Sequence, residues 1–287
     1  MTTDSTMGRI AVLGAGVMGT GIATLAVGRG VSVVLVDIDE ATLGKATASI
    51  RQQTRLGRLM GSFDAAVADG ELTTTTDVAA ISGVAAVIES VPEKADLKAG
   101  VLTAATAVVR PGTVVVSNTS AIPIDELAQH CARAADVVGI HFMNPPYLIR
   151  TVELIRGPRS SDAAVAAAEQ LLAALGQTPV HVNDGPGFVI NRVLQRSINE
   201  AARIVQDGVA TPEAVDAAFT GCLGHRTGPL ATADLIGLDN VIDSLHVLLE
   251  RTGDQGYRPC DLLVAKVKAG ELGRKTGCGF FEHEGAL

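Results

Sequence analysis

A strand followed at once by a glycine-rich turn constrains the fold of this 287-residue chain more than any other feature. Residues 9–14, RIAVLG, are typical of a short buried strand and run directly into GAGVMG. Gly14, Gly16 and Gly19 there have the G-x-G-x-x-G spacing. The first glycine permits a tight turn, the second lets the backbone approach a pyrophosphate, and the third lets the next helix pack closely on the sheet. The pattern predicts a Rossmann-type βαβ unit.

The second strand indicates which dinucleotide this unit binds. Residues 31–37, VSVVLVD, end in Asp37, and no Arg or Lys follows in residues 38–40. A carboxylate at this position can accept a hydrogen bond from a ribose 2′-hydroxyl and repels a 2′-phosphate. We therefore predict NAD rather than NADP, bound by Asp37 and by residues of the glycine-rich turn: Gly14, Gly16, Val17, Met18 and Gly19.

Further apolar segments alternate with helical ones. The runs at 85–91 and 113–118 are typical of buried strands, and residues 40–60 are helical in composition. Strands that are apolar throughout and alternate with helices predict an α/β fold with a doubly wound parallel sheet, covered on both faces. Residues 61–83, with the threonine run 73–76, are predicted to be a helix end and a loop.

Polar residues follow three of the predicted strands. They are Glu93 and Lys98, then Asn118, Thr119 and Ser120, then His141. Ligands of such sheets bind at the carboxyl ends of the strands, so these groups are predicted to share one rim. A histidine with a carboxylate in reach, here Glu153, is a minimal general-base unit. A lone histidine beside a strand is more often structural, but the convergence of three strand ends favours a catalytic role.

A change of composition at Gly185-Pro186-Gly187 predicts a domain boundary near Asp184. Residues 1–184 are expected to form the NAD-binding Rossmann-type domain, and residues 185–287 an all-helical domain. Seven apolar residues have helical spacing after the boundary: Ile190, Val193, Leu194, Ile198, Ala201, Ala202 and Val205. The polar stripe beside them, Asn191, Gln195 and Asn199, taken in isolation is expected to be a solvated face. Residues 270–281 are interpreted as a structural turn that packs Phe280 and Phe281, and residues 1–7 as a disordered lead.

Charge and composition exclude several classes of function. The net charge of -8 and pI of about 5.2 argue against a nucleic-acid surface, which needs clustered Lys and Arg. No apolar run approaches the roughly 18 residues of a membrane span. The four cysteines are far apart and include no C-x-x-C, so neither a disulfide framework nor a metal site is predicted, and a cytoplasmic setting fits best.

From about Arg9 to Phe281 the chain resembles the short-chain 3-hydroxyacyl-CoA dehydrogenase family, which includes bacterial 3-hydroxybutyryl-CoA dehydrogenases. The motifs that carry the resemblance are GAGVMGTGIA, the Asp37 strand end, ESVPEKADLK, SNTSA, HFMNP, Val152-Glu153, DGPGFVINR, GPLATADLIGLD and GRKTGCGFF. The resemblance implies a Rossmann-type NAD domain followed by a helical domain that usually forms a homodimer interface.

The resemblance also implies a role for individual residues. His141 matches the family's catalytic base, Glu153 the acid that orients it, and Ser120 the serine that hydrogen-bonds the substrate. Asn191 matches the substrate-positioning asparagine, and Asn144 a position near the reacting group. Matching cofactor positions are the three glycines, Asp37, Glu93, Lys98 and Asn118. The implied reaction has His141 taking the 3-hydroxyl proton while hydride leaves C3 for the nicotinamide.

Departures from the family pattern leave the carrier of the acyl group open. Ala121 stands where the family usually has a second serine, and Gln53 and Met60 fall where it commonly places residues near the coenzyme A nucleotide. The run TGPLATADLIGLDN is similar to family members that oxidise a hydroxyacyl (glyceryl-type) unit on an acyl carrier protein in polyketide extender-unit biosynthesis. The helical cluster Arg51, Arg55 and Arg58 is then either a patch for that acidic partner or a solvated face.

Two other functions fit the sequence less well. Free β-hydroxy-acid dehydrogenases use a catalytic lysine in the helical domain, whereas Asn191 and Arg192 occupy the candidate region here. A non-catalytic NAD-binding protein has no physical reason to retain His141, Glu153 and Ser120 together. Only six Phe and two Tyr are present, which favours short or polar acyl groups.

Overall fold

The computed structural model of the protein describes residues 7–283. The predicted N-terminal lead, residues 1–7, lies outside the described residues except for Met7, which packs against the hydrophobic core of the first unit. The chain divides into two compact units, one extending to Gly185 and the other beginning at Pro186. No helix within the described residues is both long and apolar enough to cross a bilayer.

The first unit is built on one sheet of eight strands, in the spatial order β3-β2-β1-β4-β5-β6-β7-β8. The strands are β1 (Ile10–Leu13), β2 (Val33–Val36), β3 (Leu72–Thr75), β4 (Ala86–Glu89), β5 (Val114–Ser117), β6 (Val137–His141), β7 (Thr151–Arg156) and β8 (Thr178–Asn183). Strands β1 to β6 are mutually parallel. From β1 the chain adds β2 and β3 on one side and then returns to add β4 on the other side. Ligands of open α/β sheets bind at such a switch point.

Five helices connect and cover these strands: α1 (Val17–Gly28), α2 (Glu40–Leu59), α3 (Ala95–Val108), α4 (Ile124–Ala128) and α5 (Asp162–Ala174). Every residue of β1, β2, β4 and β5 is buried, although successive side chains point to opposite faces. Both faces of the sheet are therefore covered, and the predicted doubly wound α/β fold is confirmed.

Two parts of the sheet differ from the sequence expectation. The segment predicted to be a loop contains the edge strand β3, whose threonine-rich sequence is partly exposed and has no apolar run to reveal it. Strand β7 runs antiparallel to β6, while β8 is parallel to β7. Only residues 142–150 join β6 to β7, and a parallel crossover needs about a dozen residues or more, so the chain has to turn back.

The second unit consists of helices around a separate apolar core: α6 (Ile190–Gln206), α7 (Pro212–Leu223), α8 (Pro229–Ile236), α9 (Leu238–Thr252) and α10 (Asp261–Lys268). The prediction that the polar stripe of α6 is a solvated face is wrong, since Asn191, Gln195 and Asn199 are all buried. Asn199 donates to the carbonyls of Gly256 and Arg258 and accepts from the Cys260 amide at 2.9 Å. Those backbone groups replace the water that a polar side chain would otherwise need.

The C-terminal turn of this unit is organised by a buried carboxylate. Asp234 accepts hydrogen bonds from the amides of Phe280 and Phe281, both at 2.9 Å, and His283 Nε2 lies 2.8 Å from its Oδ2. A Cβ at Gly279 would lie 2.2 Å from Asp234 Oδ1, so glycine is required there. The predicted packing of Phe280 is confirmed, because its ring is buried in the helical core.

We expect Asp234→Ala to lower the free energy of unfolding by roughly 3 kcal/mol, because the buried amide of Phe280 and the partly buried amide of Phe281 lose their carboxylate acceptor. Urea unfolding followed by circular dichroism measures the change. Asp243→Ala, at an exposed position of α9, is the matched control and should alter stability by about 0.5 kcal/mol or less. Equal stability of the two variants would contradict this role of Asp234.

Candidate active site

The glycine-rich turn between β1 and α1 has the geometry of a phosphate cradle. Gly14 has φ +97°, and a Cβ there would lie 2.8 Å from the carbonyl oxygen of Ser90. A Cβ on Gly19 would lie 1.8 Å from the Gly14 carbonyl oxygen, so no side chain fits there. At Gly16, by contrast, no atom beyond the adjacent residues lies within 4 Å of the Cβ position, so this side of the turn is open. Helix α1 begins at Val17 with no side-chain cap, so its first amides can bind an anion.

The Asp37 carboxylate lies beside this turn at the carboxyl end of β2. Its Oδ2 accepts a hydrogen bond from the Ala15 amide at 2.7 Å, and its Oδ1 accepts from the Asp39 amide at 3.1 Å. The two bonds fix the carboxylate next to the glycine-rich turn, and Ile38 beside it is 97% exposed. An open backbone cradle with an adjacent acid fits the pyrophosphate and ribose of NAD.

A cross-strand pair of His141 and Glu153 has the geometry that acid-base chemistry requires. His141 is the last residue of β6, and Glu153 is its direct partner in the antiparallel register with β7. His141 Nδ1 lies 2.8 Å from Glu153 Oε2, and both side chains are buried. With Nδ1–H donating to the carboxylate, the ring lone pair resides on Nε2, and the carboxylate stabilises the imidazolium form. The pair is arranged as a histidine base with its orienting acid.

Asn118 connects the strand end that carries His141 to the neighbouring strands. Its Oδ1 accepts from the Phe142 amide at 3.0 Å, and its own amide donates to the Glu89 carbonyl at 2.9 Å. Its Nδ2 lies 3.4 Å from the hydroxyl oxygen of Ser90. The carboxyl ends of β4, β5 and β6 are thereby joined by hydrogen bonds at one rim of the sheet.

The Ser120 loop after β5 is held by the Glu93 carboxylate. Glu93 Oε1 accepts from the Thr119 hydroxyl at 2.6 Å, the Ser120 amide at 2.8 Å and the Ala121 amide at 3.0 Å. Burial alone would raise the pKa of Glu93, but the Lys98 ammonium and these hydrogen bonds outweigh it, so the pKa is lowered. Glu93 therefore stays ionised near neutral pH and keeps the loop in place.

Sequence reasoning missed one residue of this rim, Glu89. It ends β4, is fully buried, and accepts hydrogen bonds from the Ser117 hydroxyl at 2.6 Å and the Lys98 ammonium at 2.8 Å. Its signal in the sequence is an acid that directly continues an apolar strand, AVIE. A charged side chain at such a position is buried only when it has hydrogen-bond or ion-pair partners, so the sequence AVIE predicts such a contact for Glu89.

The remaining predicted site residues lie in different surroundings. Asn144 is exposed in the loop that follows β6. Asn191 lies in the first turn of α6 in the second unit and is buried, and its contact with substrate remains a prediction. Within residues 7–283, no group of three or more His, Cys, Asp or Glu side chains is placed to hold a metal ion.

Known proteins match the chain over nearly its whole length. The family model "3-hydroxyacyl-CoA dehydrogenase, NAD binding domain" matches residues 9–185, and the model of the C-terminal domain of that family matches residues 187–283. A probable 3-hydroxybutyryl-CoA dehydrogenase of Deinococcus radiodurans is 38% identical over 279 residues, which are 96% of this chain and 100% of that protein. A 3-hydroxybutyryl-CoA dehydrogenase of Bradyrhizobium diazoefficiens is 39% identical in an alignment that covers 97% of this chain and 96% of that protein.

A solved structure shows the same architecture. The crystal structure of (S)-3-hydroxybutyryl-CoA dehydrogenase PaaH1 from Ralstonia eutropha superposes with a TM-score of 0.88 at 36% identity, covering 97% of this chain and 100% of that one. The glycine-rich turn, the acid that follows β2 and the buried His141–Glu153 pair thus occur in a chain that both domain models match. The chain belongs to the 3-hydroxyacyl-CoA dehydrogenase family, with an NAD-binding domain in its N-terminal unit.

Proposed function

We propose that the protein catalyses the NAD-dependent oxidation of the 3-hydroxyl of a short 3-hydroxyacyl-CoA, such as 3-hydroxybutyryl-CoA, and the reverse reduction. The observation that carries the proposal is the His141–Glu153 hydrogen bond, 2.8 Å long, at the same sheet rim as the NAD cradle. The names of the relatives at 38% and 39% identity support a short acyl chain. The small number of aromatic residues agrees with this choice.

His141 acts as the base in the proposed mechanism. Its Nδ1–H stays bonded to Glu153, so Nε2 takes the proton of the substrate hydroxyl, and the carboxylate stabilises the resulting imidazolium. NAD, when bound, accepts the hydride released from C3. Ser120 hydrogen-bonds the substrate oxygen, and Asn191 positions the thioester. In the reduction, His141 returns the proton to the 3-oxo group.

The two units have separate roles in this proposal. Residues 1–184 bind NAD, and residues 185–287 bind the acyl thioester and form a homodimer. A groove of about 740 Å³ on the second unit supports the dimer, and it is lined by Arg192, Val193, Arg196, Ser197, Glu200, Ala201, Ile204, Phe219 and Tyr257. Val193 is 63% exposed in it, and a large apolar side chain at such a place is typical of a surface that another protein covers.

An acyl carrier protein is the second candidate for the carrier. Arg51 and Arg55 are exposed on α2 and are available to an acidic partner. Arg58 is less available than the sequence suggested, because it donates to the carbonyls of Asp64 and Val67 and pairs with Asp69 at 2.6 Å. We place either reaction in the cytoplasm, since all four cysteines are free thiols.

We expect the protein to oxidise NADH rapidly when acetoacetyl-CoA is added, and His141→Gln to lower kcat at least about 100-fold, because the variant has no general acid or base. Absorbance of NADH measures both rates. His181→Gln, at an exposed histidine, is the matched control and should keep the wild-type rate. No turnover with the coenzyme A thioester but reduction of the acyl-carrier-protein thioester would select the second carrier, and full activity of His141→Gln would contradict the mechanism.

Asp37→Ser should lower the preference for NAD over NADP, measured as the ratio of kcat/KM values, by about tenfold or more. The variant replaces the charged carboxylate acceptor for the ribose hydroxyl with a shorter, neutral hydroxyl, and it no longer repels a 2′-phosphate. Steady-state kinetics with both cofactors measure the ratio. Glu40→Gln, an exposed acid at the start of α2, should leave it unchanged. An unchanged ratio in Asp37→Ser would assign the discrimination to other residues.

Val193→Glu should convert a homodimer into a monomer, because it replaces an exposed apolar side chain of the groove with a charge that the interface would have to bury. Sedimentation velocity at micromolar concentration distinguishes the two states. Val209→Glu, at a valine that is 76% exposed and not among the groove residues, is the control and should remain dimeric. A monomeric wild-type protein, or a dimeric Val193→Glu variant, would contradict a dimer formed through this groove.

A further inference from the structure

Two carboxylates hold the Ser120 loop, which comprises residues 118–123 between β5 and α4. Glu93 accepts hydrogen bonds from the middle of the loop, including the Ser120 amide at 2.8 Å. Asp184, which follows β8, holds the far end of the loop. Its Oδ1 accepts from the Ile124 amide and its Oδ2 from the Asp125 amide, both at 2.8 Å. The backbone that carries Ser120 is therefore restrained at two points.

Helix α4, into which the loop runs, has no cap of its own. Its N-cap residue is Pro123, which has no side-chain oxygen and cannot accept from the first amides of the helix. Amides at a helix start that have no acceptor are costly when they are shielded from water. Asp184 supplies both acceptors from a segment that lies 59 and 60 residues further along the chain.

Apolar packing keeps α4 on the sheet, whereas Asp184 sets its orientation. Ile124 is fully buried, and a Cβ on Gly139 of β6 would lie 2.6 Å from its Cδ1. This burial is non-directional, while the two hydrogen bonds to Asp184 are directional. Without the carboxylate, α4 therefore stays attached to the sheet, but its first turn and the end of the Ser120 loop gain freedom.

We propose that Asp184 is a positioning residue for the reaction, which acts on Ser120 through the first turn of α4. The proposal rests on the function proposed above, because that function assigns Ser120 to the substrate oxygen. Glu93 restrains the loop at Ser120 itself, and Asp184 restrains it four residues later. A shift of about 1 Å in a positioning group can lower a rate about 100-fold.

Asp216 offers a matched control, because it caps a helix of the second unit in the same way. Its Oδ1 accepts from the Leu230 amide at 2.9 Å and its Oδ2 from the Ala231 amide at 2.8 Å, at the start of α8. The N-cap residue of α8, Gly228, likewise makes no side-chain cap. Asparagine at either aspartate replaces one acceptor oxygen with an NH₂ group. Asp184→Asn and Asp216→Asn should therefore each lower the thermal midpoint by roughly 3–12 °C.

Catalysis should distinguish the two variants. With acetoacetyl-CoA, kcat should fall roughly 10-fold to 100-fold in Asp184→Asn and stay within about twofold of wild type in Asp216→Asn. The Kd for NADH, measured by fluorescence, should stay within about threefold of wild type in both. Adding Asp184→Asn to Ser120→Ala should lower kcat by no more than about threefold further, because Asp184 acts through the Ser120 hydroxyl.

Hydrogen exchange followed by mass spectrometry measures the restraint on the loop without any substrate. Peptides that cover residues 118–125 should exchange about tenfold faster or more in Asp184→Asn, because two amides lose their charged acceptor. The same peptides should exchange at the wild-type rate in Asp216→Asn.

Several results would overturn the proposal. Wild-type kcat in a destabilised Asp184→Asn variant would make Asp184 only a helix cap, and an equal loss of kcat in both aspartate variants would indicate general loosening. Unchanged exchange of the loop in Asp184→Asn, or a fully additive loss of kcat with Ser120→Ala, would also contradict it. Failure of the proposed function is distinguishable, because the wild-type protein would then not turn over the thioester, while the exchange rates would still show whether Asp184 holds the loop.

Discussion

The antiparallel pairing of β6 with β7 is the constraint on which the candidate active site depends. It sets Glu153 directly opposite His141, with Nδ1 and Oε2 2.8 Å apart. A parallel β7 would enter the sheet at the opposite edge, and Glu153, the third residue of the strand, would then lie far from the rim that holds the cofactor cradle. The short connection after His141 leaves no length for a crossover, so the chain direction itself brings acid and base together.

The rim is kept rigid by buried polar contacts that span neighbouring strands. Asn118 links the end of β6 to β4, while Glu89 links β4 to β5 and to Lys98. Such groups are costly to bury, and they are stabilised here because each has several partners. The apolar strands beneath supply the hydrophobic burial that offsets this cost. A site assembled in advance in this way has less to reorganise during the reaction.

The sequence predicted those features whose cause is local. The glycine-rich turn, Asp37 and the doubly wound sheet follow from short-range patterns, and His141 was a candidate because it follows an apolar run and has the Glu153 carboxylate in reach. The direction of β7 was not predictable from residue pattern, since alternation is the same in both directions. Asn199 looked solvent-exposed because its partners lie more than 50 residues away, and Arg58 looked available because its carbonyl acceptors are invisible in a sequence. The buried ion pair of Lys98 with Glu89 became apparent only from the distance of 2.8 Å between Nζ and Oε1.

Nitrogen-15 NMR of histidine-labelled protein tests the central claim most directly, because it reports which ring nitrogen of His141 carries the proton. The signal can be assigned by its loss in the His141→Gln variant. With neutral imidazole the account predicts that Nδ1 is protonated by its bond to Glu153 and that Nε2 is the unprotonated nitrogen, and that Glu153→Gln disturbs this tautomer. A neutral His141 with its proton on Nε2 would contradict the assignment of that nitrogen as the base.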